Sequence, residues 1–202
     1  GGDYRTVTSV SDPEGDNLGA GNLELPTDGS FYPGVYDIRE FTLEQNRTRA
    51  RFTFTMEDLQ KVYDVPRGWA HEYFVIYVRD PEAGDDQAAT QRGLNGMQAN
   101  TAKEHHYRIL VTPETALRIE DANGRELTSD ITTSTNLDEN TVEFTVPKRA
   151  IGGNVANKEM TVTVAPYYGF ASDLLRRFQD DPDEFIIGTS DPGAPKVMDM
   201  IT

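Results

Sequence analysis

Hydrophobic side chains recur at every second position in several short stretches of the chain, which is the period of a β-strand with one buried face. In one such stretch Ala50, Phe52, Phe54 and Met56 alternate with polar residues. The stretch 71–79 is instead almost continuously apolar, which predicts a strand with both faces covered, at the centre of the fold. Short strands without alternating long helices predict an all-β protein.

Turns rich in Gly, Pro, Asn and Asp separate these stretches. Hairpins are predicted around residues 44–46 and around Asn123-Gly124, because Asn-Gly favours the tight turns that join antiparallel strands. The pattern therefore indicates an antiparallel β-sandwich. The predicted strands are 4–10, 35–43, 47–56, 71–79, 105–112, 116–121, 126–131, 141–146, 160–165 and 185–188.

Helical patterns are few and short, at 57–63, 147–151 and 170–178, so one or two short helices are expected beside the strands. The polar stretch 80–102 has no clear period, and a connection of this length in a compact domain is usually functional or mobile. No linker or repeat divides the chain, which predicts a single domain over residues 1–202.

Composition narrows the classes of partner. The chain has 202 residues and a formal net charge of −15, which disfavours nucleic acid and anionic lipid and leaves cations and neutral polymers as the expected ligands. Five of the 19 basic residues are lysines, and an acidic, lysine-poor surface favours solubility in concentrated salt. The absence of cysteine excludes disulfides and thiolate metal sites, and no apolar run is long enough to span a membrane.

The stretch 12–37 is acidic and rich in Gly and Pro. Its first residues place carboxylates at alternate positions, on Asp12, Glu14 and Asp16. Ca²⁺ binds six to eight oxygens at once, and a short flexible loop can bring such oxygens together. The same pattern is also that of a solvated acidic turn, and the spacing by itself does not separate the two.

Four aromatic residues are considered for sugar binding, Trp69, Tyr73, Tyr167 and Tyr168, and the predicted platform is Trp69, Tyr167 and Tyr168. Each lies at a predicted strand entry or turn, where a flat ring can face solvent and stack on the apolar face of a sugar. The alternative is that Trp69 belongs to the core and that the tyrosines pair across strands.

Evidence for catalysis is weak, because the chain has no nucleophile elbow, no phosphate-binding glycine loop and no paired histidine motif. His105 and His106 are adjacent in a predicted strand, so their side chains point to opposite faces and cannot bind one metal ion together. The protein is therefore expected not to be an enzyme. Asn46 begins an Asn-X-Thr sequon at a predicted hairpin tip and is a candidate glycosylation site.

A b-type haem between an axial Met and a His or Lys is a further alternative for a β-sandwich, although no spacing selects a pair. The candidate axial ligands are Met56, Met97, Met160, His71 and Lys103.

An ordered set of short motifs resembles the C-terminal, DOMON-like domain of glucodextranase over nearly the whole chain. These motifs lie at 12–16, 25–28, 31–38, 68–69, 73–80, 93–95, 146–148, 168–170, 176–177 and 194–199. The resemblance implies an immunoglobulin- or DOMON-like β-sandwich that is non-catalytic, extracellular or at the cell surface, and stabilised by calcium.

The same resemblance implies the partner and the ion ligands. The partner is a polysaccharide or another cell-envelope glycan, and the matched acidic positions are Asp12, Asp16, Asp37 and Asp199. A structural surface-layer or filament protein that associates with copies of itself uses the same sandwich and is the second hypothesis. A haem-binding electron-transfer module is the third.

Overall fold

The computed structural model describes residues 2–12, 23–84, 104–115, 117–169, 175–193 and 196–201. These residues form two packed antiparallel sheets, which confirms the predicted β-sandwich. The strands of the described residues are β1 (Arg5–Ser11), β2 (Ile38–Gln45), β3 (Arg49–Met56), β4 (Glu72–Arg79), β5 (Tyr107–Val111), β6 (Leu117–Asp121), β7 (Glu126–Thr128), β8 (Thr132–Asn136), β9 (Thr141–Pro147), β10 (Glu159–Pro166), β11 (Phe178–Gln179), β12 (Ile187–Gly188) and β13 (Asp199–Ile201).

The two large sheets have five and six strands. The first has the order β1-β2-β3-β9-β8 and the second the order β13-β10-β4-β5-β6-β7. A short parallel pair, β11 and β12, joins the sandwich through a bridge between Glu24 and Gly188. No helix of the described residues is long and apolar enough to cross a membrane.

The core between the sheets is rich in aromatic rings. Phe54 of the first sheet lies 4.7 Å from Phe74 of the second, and both contact Phe144, at 5.8 and 5.3 Å between ring centroids. Tilted packing of this kind adds to the free energy that burial of the rings already supplies. Phe54 belongs to the alternating face of Ala50, Phe52, Phe54 and Met56, which was predicted to be buried, and that prediction is confirmed.

Strand β4 is buried on both faces, as its continuous apolar sequence predicts. One face points into the sandwich, and the other packs in a second cluster around Tyr73, Val75 and Tyr77. This outer cluster includes Tyr167 and Leu175, so the chain that follows β10 folds back over the second sheet.

Strand β2 begins three residues later than predicted, at Ile38. Gly34 and Tyr36 both adopt left-handed φ angles, of 87° and 70°, which turns the chain sharply and prevents a strand from 35 onwards. A register shift between Ile38 and Glu40 then brings both Ile38 and Phe41 into the core. The predicted single face from 35 to 43 is therefore wrong at its beginning.

The helix predictions are confirmed only in part. A 3-10 turn lies at Lys148–Ile151, as predicted, and another at Val155–Asn157. The turn predicted at 57–63 is wrong, because Gln60 instead forms an isolated bridge with Ala70. The pattern 170–178 lies partly outside the described residues, and its end is wrong because Phe178 belongs to a strand.

Replacement of a core ring tests this packing. Phe54→Ala is expected to lower the free energy of unfolding by about 3–5 kcal/mol, because it removes a fully buried ring and leaves a cavity. Leu137→Ala, at a side chain that is 39% exposed, is the control and is expected to change it by less than about 0.5 kcal/mol. Urea unfolding of both variants measures the difference, and equal effects would contradict this core.

Candidate functional site

A cavity of about 460 Å³ opens where the chain enters β4 and leaves β10. We call it the aromatic pocket. Its lining combines apolar rings with a few polar groups, which is the usual character of a small-molecule site. The lining residues are Tyr63, Asp64, Val65, Ala70, His71, Glu114, Tyr167, Tyr168, Gly169, Arg176 and Phe185.

Planar side chains are layered on one side of the aromatic pocket. The ring of His71 stacks on Phe31, with 3.9 Å between centroids and 8° between planes. The guanidinium carbon of Arg176 lies 4.8 Å from the centroid of Phe31 and 5.3 Å from that of Tyr168. Because Phe31 is buried, this stack fixes Arg176 against the protein rather than leaving it to move in solvent.

Hydrogen bonds hold Arg176 further. Its main-chain N–H donates to the carbonyl of Pro166 at 2.8 Å, and its Nη1 donates to the carbonyl of Phe185 at the same distance. The side chain is therefore a preorganised cationic donor with 5% of its surface exposed. This position was not among the sequence-based site candidates.

Two of the pocket aromatics are exposed large hydrophobic residues. Tyr63 is 44% exposed and Phe185 is 43% exposed, and Tyr168 beside them is half-buried. The Tyr63 hydroxyl lies 2.9 Å from that of Ser30, and its ring meets His71 edge-on at 5.4 Å. Rings held in this way at the surface can stack on a planar or apolar ligand face.

Tyr167 was predicted as part of a sugar platform, and it lines the pocket with only 5% of its surface exposed. Its hydroxyl donates to Glu114 Oε1 at 3.1 Å, which orients an exposed carboxylate at the pocket rim. A Cβ at Gly169 would lie 2.5 Å from that oxygen, so a larger residue there would displace the carboxylate from this position.

His71 is neutral near pH 7. Burial, together with the charge of Arg176, lowers its pKa to about 4. Its Nε2 lies 3.0 Å from the carbonyl of Ser30 and therefore carries the proton that it donates there. The other ring nitrogen, Nδ1, is consequently the acceptor of this side chain.

Glu72 follows His71 and is fully buried. The hydroxyl of Tyr32 donates to its Oε1 at 3.1 Å, and burial raises the pKa of the carboxyl group to about 7. Its neighbour His71 lines the aromatic pocket, whereas Glu72 does not.

Trp69 corrects the predicted sugar platform. Its side chain is completely buried against Phe74 and Phe144, and its indole N–H donates to the carbonyl of Glu72 at 3.0 Å. A ring without exposed surface cannot stack on a sugar. The Gly-Trp motif is therefore part of the core beneath the pocket.

Asn46 corrects the predicted glycosylation site. Only 6% of its surface is exposed, and its Oδ1 accepts from the main chain of Thr48 and Arg49 at 3.1 and 2.7 Å. Its Nδ2, the atom that a glycan would modify, donates to the carbonyl of Gly2. Asn46 closes the hairpin turn, and its side-chain amide is not exposed as a glycosylation site requires.

Three of the four predicted calcium ligands lie close together at the start of β2. The main chain of Asp12 donates to the carbonyl of Arg39 at 2.9 Å, and Asp199 Oδ2 accepts from the N–H of Ile38 at 2.8 Å, beside buried Asp37. Asp16 lies outside the described residues. Within the part of the chain that the structure describes, no three His, Asp or Glu side chains form a group that could hold a metal ion.

The haem candidates that the structure describes are not brought together. Met56 is in the core, His71 lines the aromatic pocket, and Met160 lines a separate cavity of about 510 Å³ beside β1 and β10. Met97 and Lys103 lie outside the described residues.

A protein-family model described as the C-terminal, SLH-like binding module of glucodextranase matches residues 7–202. No curated protein matches the chain.

The buried carboxyl group of Glu72 gives a prediction on pH. Because the pKa of Glu72 rises from 4.5 to about 7 on folding, the unfolded chain loses this proton first as pH rises, and stability falls between these values. The expected loss is on the order of 3 kcal/mol, and Glu72→Gln is expected to remove it. Urea unfolding of both proteins from about pH 5 to about pH 8 measures the difference.

His71 and His105 have lowered pKa values in the folded protein, so below pH 6.5 they make the free energy of unfolding rise with pH, opposite to the effect of Glu72. Both histidines are present in the wild type and in Glu72→Gln. They therefore cancel when the two curves are subtracted. If the free energies of unfolding of wild type and Glu72→Gln changed with pH in the same way, the raised pKa of Glu72 would be contradicted.

Proposed function

Because the chain belongs to the family of the C-terminal, SLH-like binding module of glucodextranase, we propose that it is a non-catalytic carbohydrate-binding module whose ligand binds in the aromatic pocket. The protein would act outside the cell or at its surface, on a polysaccharide or another envelope glycan. Its net charge of −15 agrees with a partner that is neither nucleic acid nor an anionic lipid surface.

One observation carries this proposal: exposed aromatic rings and fixed polar groups surround the same cavity. Sugars present apolar C–H faces and a rim of hydroxyl groups, so they need both a flat ring and hydrogen-bonding groups at defined positions. Tyr63, Tyr168 and Phe185 supply the rings. Arg176 is a donor and Glu114 is an acceptor at the edge of those rings.

Loss of a ring tests the site. Tyr63→Ala and Phe185→Ala are each expected to weaken glycan binding by about tenfold, because each removes an exposed stacking surface without opening the core. Isothermal titration against a panel of soluble α-glucans, β-glucans, mannans and galactans measures the change.

Tyr4→Ala is the matched control, since Tyr4 stacks with Arg51 on the first sheet, away from the aromatic pocket. Its affinity is expected to equal that of the wild type. An equal loss in the control, or unchanged binding in both pocket variants, would remove the aromatic pocket as the glycan site.

We also propose that calcium stabilises the turn before β2, with Asp12, Asp16, Asp37 and Asp199 as the acidic residues concerned. The proposal is supported by the position of Asp37 and Asp199, two buried carboxylates beside Ile38, because carboxylates at a buried site repel one another unless a cation offsets their charge. Carboxylate oxygens are the ligands that Ca²⁺ prefers.

Thermal unfolding tests the calcium proposal. Added calcium is expected to raise the melting temperature above its value in EDTA at fixed ionic strength, because an ion that binds only the native state stabilises it. Asp16→Asn is expected to reduce this rise, whereas Asp130→Asn, on the opposite part of the first sheet beside Arg49, leaves it unchanged. A melting temperature independent of calcium would contradict the proposal.

A further inference from the structure

The floor of the aromatic pocket contains a buried cation that has no ion partner. Arg176 is 5% exposed, and no carboxylate of the described residues lies within 4.0 Å of its guanidinium. The other buried arginine of the described residues, Arg108, has an ion partner. It is 8% exposed, and its Nη2 lies 2.7 Å from Glu120 Oε1. The fold therefore compensates a buried guanidinium with a carboxylate at one site and leaves it without one in the pocket.

The groups that do contact Arg176 are neutral. Its guanidinium contacts two aromatic rings and the main-chain carbonyl of Phe185, none of which carries a full negative charge, whereas the Pro166 carbonyl accepts from its main-chain N–H. Removal of a charge from water is costly unless an opposite charge or several hydrogen bonds replace the water. An anionic group that enters the pocket would supply that charge.

Glu72 does not serve as the counterion. It lies beyond ion-pair distance of Arg176, and its pKa of about 7 means that it is only partly ionised at neutral pH. Among the described residues, Glu72 therefore forms no ion pair with Arg176.

The acidic side chains at the pocket mouth act weakly on a ligand at its floor. Asp64 is fully exposed and lies 3.7 Å from Lys61, and Glu114 is exposed and close to the charge of Arg67. A charge in water acts about four times more weakly than one at the partly buried protein surface, since the effective dielectric constant is about 80 rather than about 20. The buried guanidinium therefore dominates the local field.

We infer that the aromatic pocket selects sugars that carry a carboxylate, with Arg176 as the residue that binds this group. This inference rests on the proposed function and adds the class of sugar. The planar guanidinium can donate two parallel hydrogen bonds to a carboxylate, while the sugar ring packs on Tyr63 and Phe185. A uronic acid residue combines these two features in one ring.

Matched acidic and neutral oligosaccharides test the inference. The probes are oligomers of glucuronic, galacturonic and mannuronic acid, each compared with its carboxyl-reduced neutral form of the same length and linkage. At least one acidic oligomer is expected to bind about tenfold more tightly than its reduced form. Raising sodium chloride from about 0.1 M to about 1 M is expected to leave most of this preference, because salt screens a buried ion pair much less than an exposed one.

Two variants assign the preference to Arg176. Arg176→Lys keeps the charge but loses the planar pair of donors, so it is expected to reduce the acidic preference while neutral binding is retained. Glu114→Gln removes a negative charge from the rim and is expected to tighten binding of the acidic oligomer about twofold. Glu114→Gln leaves Arg176 unchanged, so the inference stays testable even if Arg176→Lys folds poorly.

The outcomes separate the inference from the proposed function. If the neutral glycans of the earlier panel bind in the pocket and no acidic oligomer binds better than its reduced form, the inference is wrong and the glycan function stands. If no glycan of either set binds, both are wrong. An acidic preference that Arg176→Lys leaves unchanged in a folded protein would also overturn the inference.

Discussion

Burial of β4 on both faces is the constraint on which the rest of the structure depends. Its inner face closes the aromatic core, and its outer face must be covered by another layer because Tyr73, Val75 and Tyr77 present large apolar surfaces there. The chain after β10 provides that layer, through Tyr167 and Leu175. The free energy of burial therefore determines where Tyr167 and Leu175, and the chain around them, lie.

The aromatic pocket is a consequence of this covering layer. The N–H of Tyr167 donates to the carbonyl of His71 at 2.9 Å, and that of Arg176 donates to Pro166 at 2.8 Å. These two hydrogen bonds place the segment after β10 directly beside the entry to β4. Groups that are about a hundred residues apart in the chain thus meet at one cavity, supported by the core on one side and open to solvent on the other.

The electrostatic character of the pocket differs from that of the whole molecule. The net charge of −15 opposes the approach of anions at long range, an effect that concentrated salt screens. At short range the charge of Arg176 is positive, and because the side chain is buried this charge acts through a medium of lower dielectric constant than water. The proposed preference for an acidic sugar would therefore depend on this local charge together with a ligand face for the aromatic rings.

The sequence by itself determined the sheets and the central strand, because side-chain alternation and continuous apolar character follow from burial of local segments. It did not reveal β8, whose Thr-Thr-Ser-Thr-Asn sequence has no apolar signal and is ordered by pairing with β9. Nor did it reveal β13, a three-residue strand that pairs with β10, although Asp199 was singled out. Pairing between distant strands is a tertiary property and leaves little trace in so short a segment.

The candidate site, like the fold, was predictable from the sequence only in part. Tyr167 and Tyr168 were singled out from their turn and line the pocket, but Trp69 was assigned to the surface because a sequence does not state which side of a strand entry faces solvent. Arg176 lies in one of the matched motifs but had no predicted role, and Tyr63 and Phe185 lie in none, since their contacts form only when the layer over β4 is in place. Local chemistry thus determined the elements, whereas only the tertiary structure decided which side chains meet in a pocket, because that depends on long-range packing.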